Sequence, residues 1–214
     1  MGMYCSLVET VGMQRLVRRA SAIDREPILD VVEAAFVTEP AFAHFFGEAY
    51  DAHAREFLAF LLDLRMAGGI VWVEETAGTV AAVSMWDPPG GPALGSAEQE
   101  MLWRAAADRF GPAIEQRLDA YDALVHDLGP AGEHYYLGVI ASDPAARGRG
   151  HGSAVLRPGI EAADAAGLPT FLETGTEGNV GFYGRFGFEV TGELDLDDGT
   201  RVWCLTRPPG ASVG

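Results

Sequence analysis

The tightest constraint on this chain lies between residues 135 and 166. An apolar run from Tyr135 to Ser142 passes through Asp143 and Pro144 into Arg147-Gly148-Arg149-Gly150-His151-Gly152. Beyond it Leu156, Ile160 and Ala163 recur at i, i+4 and i+7. That order reads as a buried strand, a glycine–arginine turn and an amphipathic helix. Glycines at a helix start let the backbone approach a bulky anion, and the free N–H groups of the first turn point at it. Arg147 and Arg149 add positive charge at the same spot. Two other phosphate-binding turns are excluded. The dinucleotide pattern GxGxxG requires glycine where Ser153 stands, and the GK[ST] of a P-loop is absent. Taken alone, the same residues also suit an ordinary surface turn ahead of a helix.

Strand and helix patterns alternate along the remaining chain. A strand is expected from Gln14 to Arg19, then a helix with Leu29, Val32 and Phe36 on one face that Pro40 ends or bends, and a second helix near Tyr50 to Arg65. Strands follow at Ile70 to Glu75 and Thr79 to Trp86. After a Pro/Gly loop, Ser96 with Gln99 resembles a capping box that opens helical sequence, broken at Gly111-Pro112 and ending near Leu128. In the second half come the strand at Tyr135, the helix with Pro158 in its middle, and a strand from Pro169 to Thr174. A short helix at Asn179 to Phe186, a strand at Phe188 to Thr191, an Asp197-Asp198-Gly199 turn and a last strand Arg201 to Thr206 complete the pattern. An interior proline deprives a helix of one hydrogen bond, so a bend is expected at Pro158.

Charge and cysteine usage narrow the function. The formal net charge of −16 opposes nucleic-acid binding and suits attraction of cationic amines. Cys5 and Cys204 are far apart and without CxxC spacing, which argues against a disulfide framework or a zinc site and for a reducing, cytoplasmic compartment. No metal is expected. The apolar stretch Phe57 to Leu64 is too short to span a bilayer, so no membrane association is expected. The start matches the Met-Gly-x-x-x-Ser acylation pattern only over a short string. Residues 1–13 are expected to be an extension ahead of one domain spanning 14–214. The Ala-, Gly- and Arg-rich composition suits a bacterial source.

About thirty residues after the glycine–arginine turn stands Asn179-Val-Gly-Phe182-Tyr183-Gly-Arg-Phe-Gly187-Phe188. Asn179 and Tyr183 are i and i+4 and share one helix face. The two segments, in this order, resemble the two cofactor motifs of the GNAT family of N-acetyltransferases, Arg-x-x-Gly-x-Gly and N-x-x-F-Y-x-x-x-G-F. Residues 152–211 are similar to the puromycin N-acetyltransferases within it, through such runs as Phe171-Leu-Glu-Thr174, Trp203-Cys204 and Pro209-Gly-Ala211. The first half is similar only in scattered pieces.

The resemblance implies an α/β (α+β) GNAT fold. Its mixed, mostly antiparallel central sheet of about seven strands is splayed between strands 4 and 5, with helices on both faces. It implies acetyl-CoA as cosubstrate and transfer of the acetyl group to the amine of a small molecule, such as a puromycin-like antibiotic. A peptide or protein amine is the alternative acceptor, and a non-catalytic acyl-CoA sensor of the same fold a further reading. A homodimer is compatible with the sequence. The cosubstrate would be held by Ile140, Ala141, Ser142, Arg147, Gly148, Arg149, Gly150, His151, Gly152, Ser153, Asn179, Phe182 and Tyr183. The N–H of Ile140 would stabilise the oxyanion and Tyr183 would protonate the leaving thiolate. Glu173 and Glu133 are the candidate bases, with His134 a weaker third, because the family's base position on the central strand is Tyr136 here. Phe36, Tyr50, Trp72 and Trp86 are candidates to line an acceptor pocket, and core packing is the alternative for each.

Overall fold

A computed structural model describes residues 15–93 and 95–214, with the side chain of Ser96 left out. The elements in chain order are β1 (Arg15–Arg19), α1 (Arg25–Phe36), α2 (Pro40–Phe46), α3 (Tyr50–Gly68), β2 (Ile70–Thr76), β3 (Thr79–Asp87), α4 (Ser96–Phe110) and α5 (Pro112–Leu128). They continue with β4 (Tyr135–Ser142), α6 (His151–Ala166), β5 (Thr170–Thr174), α7 (Glu177–Gly184), β6 (Glu189–Asp195) and β7 (Arg201–Arg207). The seven strands form one sheet in the order β1-β2-β3-β4-β5-β7-β6. Every neighbouring pair is antiparallel except β4 with β5. The expected mixed, mostly antiparallel sheet of seven strands is therefore present.

Two layers of side chains cover the two faces, and β3 shows how the sequence divides them. Successive strand residues point to opposite sides. Val83 and Met85 join the apolar cluster made with α1 to α5, whereas Trp86 joins α6, Phe186 and Phe188 on the other face. Ser84 also faces α6, donating its hydroxyl hydrogen to the Val155 carbonyl at 2.7 Å and accepting from Trp86 Nε1 at 2.9 Å. Helix α6 runs unbroken across Pro158. The proline has no N–H to give the Ala154 carbonyl. Its neighbour Gly159 lets the helix lie on the Trp86 ring, since a Cβ at 159 would sit 2.2 Å from two ring carbons.

Pro40 does not end the first helix, as the sequence suggested. α1 stops at Phe36, and Pro40 opens α2 at its first turn, where its missing N–H has no helical acceptor to serve. α4 begins at Ser96 with Gly95 as its N-cap, one position before the Ser96 cap that the capping-box pattern suggested. The Ser96 side chain, like Gln14, Cys5 and the extension 1–13, lies outside the described residues. Cys204 is a free, buried thiol, pushed up to about 12 by burial and by the nearby Glu173 charge. Among the described residues no helix is long and apolar enough to cross a membrane.

Overpacking a filled contact costs about 1–3 kcal/mol. Gly159→Ala is expected to lower the unfolding free energy by an amount in that range, seen as a lower urea midpoint at unchanged slope, because Trp86 is fully buried and cannot swing away. An unchanged midpoint would show that the ring has room to yield.

Candidate active site

Strand β4 carries a bulge before it leaves its neighbour. Met85 pairs with Val139 and Trp86 with Leu137, which leaves Gly138 as the extra residue. The parallel pairing of β4 with β5 covers only Tyr135 with Thr170 and Tyr136 with Phe171. Beyond it β5 continues to pair with β7, while the β5-facing edge of residues 137–142 has no strand partner among the described residues. A wedge-shaped gap opens there at the centre of the sheet. Tyr183 and Asn179 of α7 and Glu173 and Thr174 of β5 border the same cavity, of about 520 Å³, as Leu137 to Ile140.

At the far end of β4 the chain turns into α6. Gly148 (φ +76°) and Gly150 (φ +84°) take left-handed backbone, which side chains resist, and a Cβ at Gly148 would meet nothing within 4 Å. The first turn of α6 thus follows an open backbone step flanked by the exposed Arg147 and Arg149. The step is anchored from two sides. Arg15 Nη2 donates to the Arg149 carbonyl at 2.8 Å, and the buried His151 side chain turns inward to pair with Glu74 of β2. His151 therefore leaves only its backbone on the turn. An exposed backbone cradle at a helix start, with two arginines beside it, fits a diphosphate, and the unpaired β4 edge next to it fits an extended amide-bearing arm.

The inner wall of the cavity is aromatic and acidic. Phe36, Phe42, Phe45, Phe57, Trp103 and Tyr121 supply rings from α1 to α5. Asp119 and Asp122 are exposed residues on its border. Glu39, between α1 and α2, also borders it, and accepts from the Gly175 N–H at 2.9 Å and the Thr176 hydroxyl at 3.3 Å. These bonds strap the α1–α2 turn to the end of β5. Burial pushes the Glu39 carboxyl up, against the pull of both hydrogen bonds.

Glu173 is the most perturbed carboxyl of the wall. Oε1 accepts from the Tyr136 hydroxyl at 2.7 Å, and Oε2 is buried with no partner among the described residues. Burial raises its pKa to about 7, against the opposing effects of the Tyr136 hydrogen bond and the Arg65 charge. Burial also raises the Tyr183 phenol well above its ordinary value, so it stays protonated throughout the neutral range. Asn179 Nδ2 donates to Thr174 Oγ1 at 3.0 Å.

The geometry brings Ile140, Glu173, Asn179 and Tyr183 to one cavity and does not bring Glu133 or His134 there. Glu133 is exposed in the loop before β4. His134 shares that loop, and its Nδ1 lies 2.9 Å from the Gly132 carbonyl oxygen. Ala141 is buried in the first cluster, while Phe182 packs beside Gly152 with Ser153 on the next position of α6. Of the four rings offered for an acceptor pocket, only Phe36 borders the cavity. Trp86 is buried under α6, Trp72 faces the second cluster with Arg19 over its ring, and Tyr50 packs in the first cluster with its hydroxyl on the Glu33 carbonyl. Arg65, Asp87 and Glu39 were missed from the sequence. Their only local signal was charge inside otherwise apolar helix and strand ends.

The family model of the acetyltransferase (GNAT) family matches residues 38–188. A structure of histone acetyltransferase HPA2 and related acetyltransferase from Corynebacterium glutamicum is 25% identical, with a TM-score of 0.67 over 94% of this chain and 100% of that one. The polyamine N-acetyltransferase of Drosophila melanogaster, which forms N-acetylagmatine, is 16% identical with a TM-score of 0.67 over 91% and 100%. A GNAT-family acetyltransferase from Brucella melitensis, solved in complex with acetyl-CoA, is 21% identical with a TM-score of 0.51 over 95% and 94%.

Glu173 is expected to titrate near 7 in carboxyl-detected NMR. Tyr136→Phe should move that midpoint upward, because the lost hydrogen bond favoured the ionised form. The folded value lies above the ordinary 4.5, so the folded state holds this proton more tightly and the group's contribution to stability declines as pH rises from about 4.5 to 7. A midpoint near 4.5, or a downward shift in the variant, would contradict this environment.

Proposed function

The chain belongs to the GNAT family of acetyltransferases, and from that membership we propose that it moves the acetyl group of acetyl-CoA onto the primary amine of a small molecule with an aromatic or bulky apolar body. One observation carries the choice of acceptor: Glu173, whose buried Oε2 has no partner among the described residues, is one of the residues around a ring-walled cavity at the point where β4 leaves β5. A peptide acceptor would be better served by a broad open groove. Puromycin-like antibiotics are amines of the proposed kind, and the likeness of residues 152–211 to the enzymes that acetylate puromycin supports including them. The non-catalytic reading is disfavoured by the meeting of Glu173, Asn179 and Tyr183 on one cavity.

The roles follow from charge and position. An amine arrives as a cation, its reference pKa being about 10, and the acidic border with Asp119 and Asp122 favours its entry. Inside the ring-lined wall desolvation lowers the amine's pKa, so a carboxylate that ionises near 7 can take its proton. Nitrogen then attacks the thioester carbonyl. The C–N bond forms, the C–S bond breaks, and the charge developing on the acetyl oxygen is met by the backbone N–H of Ile140. Tyr183, still protonated, gives its proton to the departing sulfur, and the proton that the nitrogen sheds as the amide forms restores the phenol. The turn from Arg147 to Ser153 would grip the diphosphate, and the free edge of β4, including Ala141 and Ser142, would pair the pantetheine arm. Asn179 and Phe182 would flank that arm.

Free-thiol release from acetyl-CoA over an amine panel containing puromycin, phenethylamine and spermidine tests the reading. Release is expected with the aromatic amines, and kcat/KM should rise through about pH 7 as Glu173 ionises. Glu173→Gln should abolish that rise and lower the rate about 100-fold. Tyr183→Phe should lower kcat by a similar factor with little change in acetyl-CoA affinity. Tight CoA binding with no thiol release for any amine would support a sensor instead. Gly150→Val should weaken CoA binding at least about 10-fold in a protein whose circular dichroism is unchanged, since the side chain occupies the backbone's approach to the diphosphate. Unchanged calorimetric affinity would remove this turn from the binding site.

A further inference from the structure

An ion pair at the β4 bulge borders the same cavity, and apart from the pull of the Arg65 charge on Glu173 it has no part in the chemistry above. Arg65 is 4% exposed. Its Nη2 donates to Asp87 Oδ2 at 2.7 Å, its Nη1 to the Leu61 carbonyl at 3.3 Å, and its guanidinium carbon stands 5.8 Å from the centre of the Tyr136 ring. The bulge makes room for it, because a Cβ at Gly138 would lie 2.2 Å from Nη2. Two atoms of the pair are left over. Arg65 Nε, a donor, and Asp87 Oδ1, an acceptor, are both buried without a partner among the described residues.

A buried donor or acceptor left unpaired is costly to the fold, and this pair presents one of each. Arg65 and Glu173 both touch Tyr136, one over its ring and one at its hydroxyl, and all three with Asp87 border one cavity, so the pair shares a wall with the proposed base. The charges along the cavity also discriminate. Asp87 neutralises Arg65, and the other charged residues on the border are Glu39, Asp119, Asp122 and Glu173, all acidic.

We propose that Arg65 and Asp87 form a specificity pair that receives a neutral group of the acceptor, one able both to accept and to donate a hydrogen bond. This rests on the acetyl transfer proposed above and names its substrate class: aromatic primary amines that carry a carboxamide or an alcohol close to the nitrogen. An amine without such a group leaves Nε and Oδ1 unpaired. An amino acid brings a carboxylate into a cavity whose one bordering cation among the described residues is already paired. Arg65 and Asp87 act on selection of the acceptor, while Glu173 and Tyr183 act on the reacting atoms.

Four amines of nearly equal size test this: phenylalaninamide, phenylalaninol, phenethylamine and phenylalanine. In the native protein at least one of the first two should exceed both of the others in kcat/KM by about 10-fold or more. Replacing both members, Arg65→Met with Asp87→Leu, removes the pair without leaving a lone buried charge. The preference should then shrink to within about twofold. Phenethylamine serving as well as the better polar amine, phenylalanine serving best, or a folded double variant that keeps the preference would each overturn the proposal. If no amine is acetylated, acetyl transfer fails on its own, and calorimetric binding of the four amines to the CoA-loaded protein decides the selectivity by the same ranking. If the double variant does not fold, the ranking in the native protein decides.

Discussion

The parting of β4 from β5 after two residue pairs is the constraint from which the rest of the site follows. A sheet interrupted at its centre exposes backbone N–H and C=O groups that need partners. The gap persists because its two sides are held by different contacts. On one side β5 stays paired with β7 along its whole length. On the other, β4 stays paired with β3 and is backed by α6, which Ser84 and Trp86 fix to the sheet at Val155 and Gly159. The start of α6 is fastened separately, by His151 to Glu74 and by Arg15 to the Arg149 carbonyl. The turn ahead of that helix is therefore open but not loose.

The same parting sets the electrostatics. Glu173 lies just past the last β4–β5 pair, where a strand neighbour would otherwise cover it, and it faces rings in place of water. Burial outweighs the Tyr136 hydrogen bond and the Arg65 charge, so the carboxyl ionises near neutrality. Tyr183 feels the same burial with the opposite consequence for availability, since a phenol pushed upward simply keeps its proton. Two groups with displaced ionisation on one wall are the arrangement that proton transfer in both directions requires. The Gly138 bulge completes the wall by letting Arg65 lie against the strand.

Much of the fold was legible because its signals are local. The apolar run at Tyr135, the glycine–arginine turn and the Asn179–Tyr183 spacing each occupy a few consecutive residues, and they predicted the strand, turn and helices found there. Pro40 misled because a proline after a helix and a proline opening the next one look alike in sequence. The acceptor side was less legible for a different reason. Glu39 meets Gly175 across 136 positions, and Arg65 meets Asp87 through a bulge that no sequence period encodes. Trp86 and Tyr50 have the composition expected of pocket residues, yet strand alternation and helix facing turned them into the two cores. Glu133 looked eligible by its closeness to β4 in sequence, but the exposed loop keeps it off the cavity.

The account depends on a thioester carrier lying along the free edge of β4 with its diphosphate at the start of α6. Hydrogen–deuterium exchange with and without saturating coenzyme A tests this most directly. Slowed exchange confined to amides 137–142 and 148–153 is the predicted result. Unchanged exchange in both segments, with protection appearing elsewhere, would contradict it.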